Sequence, residues 1–328
     1  MTNRSDRVHA TLLVPGTPNG LEAWRRALRA KGLELTGTGL MGASLPFAVG
    51  AEWIDNPGDR SFGKAFSFGT ATEAEVRRID AAPGALLLSV KADLHRERGP
   101  IAAMARDLAA CGALAVRVEE SKVGYPVSRW ADLVGEADPW SLYRAVVMVL
   151  VDENHATTCG MHVFSLPDAQ VTLDAGLDAR EANDLLGVLN VFQLAEDPAL
   201  ATGHTFSPSA DAPRRVLHRW PDANYPGDHL CHNPFGVWRL GPPGGSGSGS
   251  SLAYVFMPAL VVLLTAAERK AGRPLTQPEV EQITSGGVCM TMQHRDAQAL
   301  ERKRGYADID PEQAWAQWQV AREGLGPG

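Results

Sequence analysis

The spacing of apolar residues predicts strands alternating with helices. Residues 8–14 (Val-His-Ala-Thr-Leu-Leu-Val) alternate as a strand with one face in a core, and Pro15-Gly16 ends it. Leu21, Trp24, Ala27 and Leu28 then recur at helical spacing, with Arg25, Arg26 and Lys31 on the other side. Residues 34–70 are rich in glycine and mixed in pattern, which predicts short strands and loops. Residues 85–90 form an unbroken apolar run of strand length. Ile101, Met104, Ala105 and Leu108 make a helical stripe behind Gly99-Pro100. Leu114, Val116 and Val118 alternate with Ala115, Arg117 and Glu119, which completes a β-α-β element.

Residues 145–151 predict a second buried strand. Asp152-Glu153-Asn154-His155 predicts its turn, residues 157–165 the returning strand, and Leu166-Pro167-Asp168 its end. Asp178 and Glu181 form a capping box ahead of a helix whose apolar face is Ala182, Leu185, Leu186, Leu189 and Phe192. Residues 207–243 lose periodicity and are dominated by Pro, Trp, His and Asn. An irregular segment is expected there, pinned by Trp220, Tyr225, Phe235 and Trp238, which are also the candidate interaction residues. Residues 244–251 are only Gly and Ser, the composition of a linker or exposed loop. The remainder, 252–328, reads as helical: an apolar stretch over 252–267, a capping box at Thr276 and Glu279, and Asp310-Pro311 opening a helix anchored by Trp315 and Trp318. The expected fold class is α+β, a mixed sheet with helices packed on it over 1–206, then a small helical C-terminal region.

The chain has 328 residues, 45% hydrophobic, more than one core usually organises. A net charge of −7 argues against a nucleic-acid partner, despite Arg295, Arg302, Lys303 and Arg304, which read as a solvated helix face. The 252–267 stretch is too short for a comfortable membrane span and contains Pro258. The polar start, Met1 to Arg7, has no signal-peptide core, so a cytoplasmic protein is expected. Four dispersed cysteines, Cys111, Cys159, Cys231 and Cys289, make no disulfide framework, and Cys111 reads as a small buried hydrophobe.

Chemistry-bearing residues are few. Asp228, His229, Cys231 and His232 are ligand types for a transition metal, and they are the candidate metal site. Their spacing lacks a second regular pair, and the competing expectation is a loop whose histidines bond backbone groups. His162 is the candidate catalytic base. On a strand it would face away from Cys159, three residues earlier. Asp168 reads as a turn residue closing through its side chain. Gly286-Gly287-Val288-Cys289 lacks nucleophile-elbow spacing, and Gly244 to Gly247 lacks the Lys-Ser/Thr of a phosphate loop. Gly37-Thr38-Gly39-Leu40-Met41-Gly42 matches a dinucleotide fingerprint by letters, but no convincing helix follows. No cofactor is implied.

The segment Thr158-Cys159-Gly160-Met161-His162-Val163-Phe164-Ser165-Leu166-Pro167-Asp168 resembles the G-M-H-x-F-G-L-P-D stretch of a bacterial family known only as domain of unknown function 4261. The resemblance continues through Glu181-Ala182, Leu185-Leu186 and Gly203-His204-Thr205-Phe206, and covers about residues 10–206. Ser165 stands where that family carries glycine. Residues 304–312, with Trp315, Trp318 and Gln319, resemble an ending shared by uncharacterised bacterial proteins. These resemblances imply a bacterial origin and a boundary near 206; they carry no activity. The sequence therefore favours a non-catalytic protein-interaction or accessory factor, of an immunity or secretion-associated kind. The alternative is a hydrolase-like enzyme, with or without zinc, built on His162 or on His229, Cys231 and His232.

Overall fold

The computed structural model describes residues 10–37, 39–58, 61–66, 71–174, 176–209, 212–243 and 252–324. Along the chain the elements are β1 (Ala10–Gly16), α1 (Leu21–Arg29), β2 (Leu33–Leu35), β3 (Gly39–Gly42), β4 (Ala48–Asp55), α2 (Ser61–Lys64), α3 (Glu73–Asp80) and β5 (Gly84–Lys91). There follow α4 (Arg98–Ala110), β6 (Ala115–Val118), β7 (Gly124–Pro126), α5 (Val127–Gly135), α6 (Pro139–Val146), β8 (Met148–Val151), β9 (His155–Cys159), β10 (Asp168–Thr172), α7 (Ala179–Glu196) and β11 (Thr205–Ser207). The last are β12 (Arg215–Trp220), β13 (Val237–Pro243), β14 (Leu252–Phe256), α8 (Leu260–Ala271), α9 (Gln277–Gly286), β15 (Cys289–Gln293), α10 (His294–Arg304) and α11 (Ala314–Gly324). The fold class is α+β, as expected. Among the described residues, no helix is long and apolar enough to cross a membrane.

Two compact units share this chain. One comprises Met1–Leu150, Thr158–Asp168 and Pro221–Gly236, the other Val151–Thr157, Ala169–Trp220 and Val237–Gly328. The expected boundary near 206 is therefore not where the chain divides.

The first unit holds a seven-stranded sheet in the order β2-β3-β4-β5-β1-β6-β7. Central β1 pairs antiparallel with both β5 and β6, so those two run parallel and α4 connects them. The predicted β-α-β element is present, with β1 between its strands. Its stripe of Ile101, Met104, Ala105 and Leu108 is buried. Trp24 and Leu28 bury α1's apolar side. Pro15-Gly16 does not end β1: both residues stay in the ladder, paired with Ala85 and Gly84. The glycines at 37–42 lead through β3 into another strand, β4, not a helix, so the dinucleotide geometry is absent there.

The second sheet has the order β14-β15-β11-β12-β13-β10-β9-β8. Strands β12 and β13 fall inside 207–243, where an irregular segment was expected; only the part between them is irregular. Along Arg215-Val216-Leu217-His218-Arg219-Trp220 the two arginines fall on the side of buried Leu217, and His218 and Trp220 on the other, which hides the period. The 252–267 stretch is not one helix: its first residues form β14, then α8 begins after Pro258. Residues 145–151 are likewise split, Ala145 and Val146 ending α6 while Leu150 and Val151 are exposed. The linker expected at 244–251 lies outside the described residues.

Helices α8, α9 and α11 close a core around Leu260, Leu264, Val280, Phe256 and Trp318, with Trp315 packed at its border. Arg304 is no solvated residue. Its side chain is buried, ion-paired with Glu196 at 3.1 Å and donating to the Phe256 carbonyl at 2.8 Å.

Candidate functional site

The polar residues singled out in the sequence gather in the first unit, where segment 158–168 meets segment 221–236. Strand β9 ends at Cys159 instead of running on to Ser165. Gly160 adopts φ 120°, and a Cβ there would lie 2.8 Å from the Val146 carbonyl oxygen and 2.9 Å from Ser121 Cβ, so only glycine fits. Met161–Phe164 then forms a 3-10 turn. His162 is thus on a turn, and the strand-face reasoning that separated it from Cys159 does not apply.

Asp168, the first residue of β10, closes this turn as expected. Its Oδ1 accepts from Met161 N at 3.2 Å and from Thr158 Oγ1 at 3.1 Å. Its Oδ2 accepts from Asn233 Nδ2 at 2.6 Å. Burial pushes the Asp168 carboxyl up to about 7, with the Asp222 carboxylate adding to the rise, although all three partners donate to it and oppose the shift. Asn233 also donates to the Leu166 carbonyl at 3.0 Å and accepts from Phe235 N at 2.8 Å, so every polar atom of its amide has a partner. Its backbone N–H donates to Asp222 Oδ2 at 2.8 Å.

The metal candidates do not converge. His229 Nδ1 accepts from Cys231 N at 3.1 Å while its ring stacks on Tyr225, centroids 4.9 Å apart. His232 Nδ1 faces the Tyr225 carbonyl at 3.1 Å, with Asp222 Oδ2 at 3.6 Å. Asp228 is exposed. Among the described residues, no three His, Cys, Asp or Glu side chains are arranged to hold a metal ion. These histidines bond backbone groups, the competing expectation for this loop.

His162 follows the same rule. Its Nε2 lies 3.0 Å from the Leu230 carbonyl, so that nitrogen carries the proton, and Nδ1 is buried without a partner among the described residues. Burial pulls the imidazole below its ordinary range and keeps it neutral.

Cys159 and Cys231 are both buried and free, and Cys159 Sγ lies 3.8 Å from the Cys231 carbonyl. Cys159 Sγ also lies 3.3 Å from the Glu120 carbonyl and Cys231 Sγ 3.9 Å from that of Glu119. Hydrogen bonding to Cys231 and burial push the Cys159 thiol far above its ordinary range, so it is not a thiolate nucleophile at neutral pH.

Four participants were not foreseen: Asn233, Asp222, Glu119 and Glu120. Glu119 follows the last residue of β6. It is buried, held by Arg117 Nε at 2.5 Å and Lys122 Nζ at 2.7 Å. Burial works against its ionisation, but those two cations outweigh it and hold the carboxyl below its ordinary range. Glu120 accepts from Thr11 N with both oxygens, at 2.8 and 3.0 Å, and burial raises its carboxyl. The sequence signal for Glu119 and Glu120 is an acidic pair closing an apolar strand; Asp222 and Asn233 carry none.

Of the interaction candidates, Tyr225 and Phe235 are half-buried in segment 221–236. In the second unit, Trp238 is a core residue, 3% exposed, its Nε1 donating to Gln193 Oε1 at 3.1 Å. Trp220 is 49% exposed, with the Arg239 guanidinium 4.9 Å from its ring centroid. No protein-family profile, curated protein or solved structure matches this chain.

Proposed function

We propose that this protein is a non-catalytic interaction factor whose docking face is the outer side of β12–β13. The observation that carries the reading is Trp220, half-exposed under Arg239. The register sets Trp220 opposite Val237 and His218 opposite Arg239, so His218, Trp220 and Arg239 share one face. Trp and Arg are the residue types that concentrate binding energy in interfaces, and a guanidinium stacked on an indole is already oriented. The face is cationic on a chain of net charge −7, so the partner it fits presents carboxylates beside an apolar contact.

A catalytic role for the 229–232 cluster is disfavoured by the same geometry that ties His229 and His232 to backbone atoms. A hydrolase would need those imidazoles turned toward substrate.

Affinity capture from a bacterial lysate tests the proposal, using the full chain and its Trp220→Ala and Arg239→Glu variants. The expected result is a stoichiometric partner retained by the wild type, lost from both variants and weakened by salt. Equal capture by all three proteins, or no stoichiometric partner, overturns it.

A further inference from the structure

The second unit contains a cleft of about 320 Å3 between α7 and the start of β12. That volume holds the equivalent of about ten waters at roughly 30 Å3 each, the size of a small metabolite. One wall is a single stripe of α7: Glu181, Asp184, Leu185 and Val188 recur at helical spacing, the two carboxylates exposed and Leu185 buried. Pro208 and Pro213 line the cleft as well, and so does Arg215.

Arg215 is the unusual element. It is 6% exposed, and its Nη1 donates to the Gly241 carbonyl at 3.1 Å. Among the described residues, no carboxylate lies within ion-pair distance of it. Asp174 acts on it only through space, and burial disfavours its charge. A register shift between Arg215 and Leu217 interrupts the β12–β13 ladder at this point, and such bulges re-aim side chains. A buried cation with no carboxylate in contact among the described residues is costly, and a bound anion offsets that cost.

The geometry points to a binding site for a small zwitterion with an apolar body: its carboxylate on Arg215, its ammonium toward Glu181 and Asp184, and its side chain against Leu185, Val188 and Pro213. A plain anion would meet Arg215 but also the two carboxylates of the same wall. A plain cation would bring Arg215 no counter-charge. A free apolar amino acid and the termini of a short apolar peptide share the required chemistry.

Titration calorimetry on the full chain separates these cases. The probes are L-leucine and L-leucyl-L-leucine, with leucinamide (no carboxylate) and 4-methylpentanoate (no ammonium) as controls. At least one zwitterion is expected to bind about tenfold or more tighter than both controls. The tighter of the two zwitterions identifies amino acid or peptide as the source. Arg215→Met should abolish binding. Because that variant removes a buried group, Val188→Phe, which fills the cleft from a half-buried position, provides the second test, with a thermal melt to verify folding. Asp184→Asn should weaken both zwitterions and leave 4-methylpentanoate unchanged or tighter. Equal affinity for leucine and leucinamide, no heat from either zwitterion, or undiminished binding in folded Val188→Phe overturns the assignment.

Discussion

Asn233 donates its side-chain amide to Asp168 Oδ2 at 2.6 Å, with both residues out of contact with water. The bond joins segment 221–236 to the turn that ends β9. The same amide serves the Leu166 carbonyl and Phe235 N, so one side chain ties the two segments together. Replacing it strands a buried carboxylate oxygen, a carbonyl and an N–H together. Asn233→Ala is expected to cost about 3–5 kcal/mol in urea denaturation, the range for removing one partner of a buried charged group. A loss under about 1 kcal/mol would show that water replaces the amide and that Asn233 does not hold the loop.

Asp168 also sets a pH dependence whose sign follows from its raised carboxyl, which moves from 3.8 to about 7 on folding. Below that window both states are protonated. As pH rises through it, the unfolded chain ionises first and is favoured, so this group's contribution falls across the window and is level above it. His162, held neutral by burial, acts in the opposite sense. Asp168→Asn isolates the carboxyl: the stability difference between wild type and variant should change between about pH 4 and pH 7 and be flat above. Parallel curves across that range would mean that Asp168 is ionised throughout.

What the sequence disclosed follows from interaction range. The stripe Ile101, Met104, Ala105 and Leu108 was legible because helical period is local. So were the capping boxes at Asp178 and Thr276, whose partners are three residues away. Asp168 was legible as a turn residue but not as the acceptor for Asn233, which lies 65 positions on. Strand β12 was missed because its outward residues, His218 and Trp220, look like an irregular segment until β13 supplies Arg239 and Val237 beside them. Gly160 carried no visible signal, since the atoms that forbid a Cβ belong to Val146 and Ser121. Candidate chemistry stays open in the sequence for the same reason: residue types announce ligands, but only the fold shows that His229 and His232 bond backbone atoms.

Ser165 offers a test that uses backbone conformation alone. It has φ 59° and ψ 33°, the left-handed region, where a side chain costs about 1 kcal/mol and glycine does not. Its hydroxyl is also buried without a partner among the described residues. Ser165→Gly is therefore expected to stabilise the chain by about 1 kcal/mol, the strain relieved exceeding the added entropy of the unfolded state. A rise in urea midpoint at unchanged slope is the readout; a drop would show that the serine makes a contact worth more than the strain.

Arg304 and its neighbour Lys303 carry the same charge and both meet carboxylates, yet they should differ sharply when removed. Lys303 pairs with Asp197 at 3.0 Å, both partners about half exposed, where water and salt screen the pair. Arg304 is 4% exposed. It holds Glu196, donates to the Phe256 carbonyl and lies 3.7 Å from Asp308. Asp308 in turn accepts from Leu260 N at 3.0 Å and Val261 N at 3.1 Å, capping the start of α8. Removing Arg304 leaves two carboxylates in partial burial and loosens the cap that seats Leu260 in the core. Lys303→Ala should cost at most about 1 kcal/mol. Arg304→Ala should cost about 3–5 kcal/mol. Arg304→Lys should recover little of it, because an ammonium cannot reach carboxylate and carbonyl together as the planar guanidinium does. Urea denaturation of the three variants decides the matter: equal losses at 303 and 304 would place Arg304 back among solvated helix residues, as its sequence neighbours suggested.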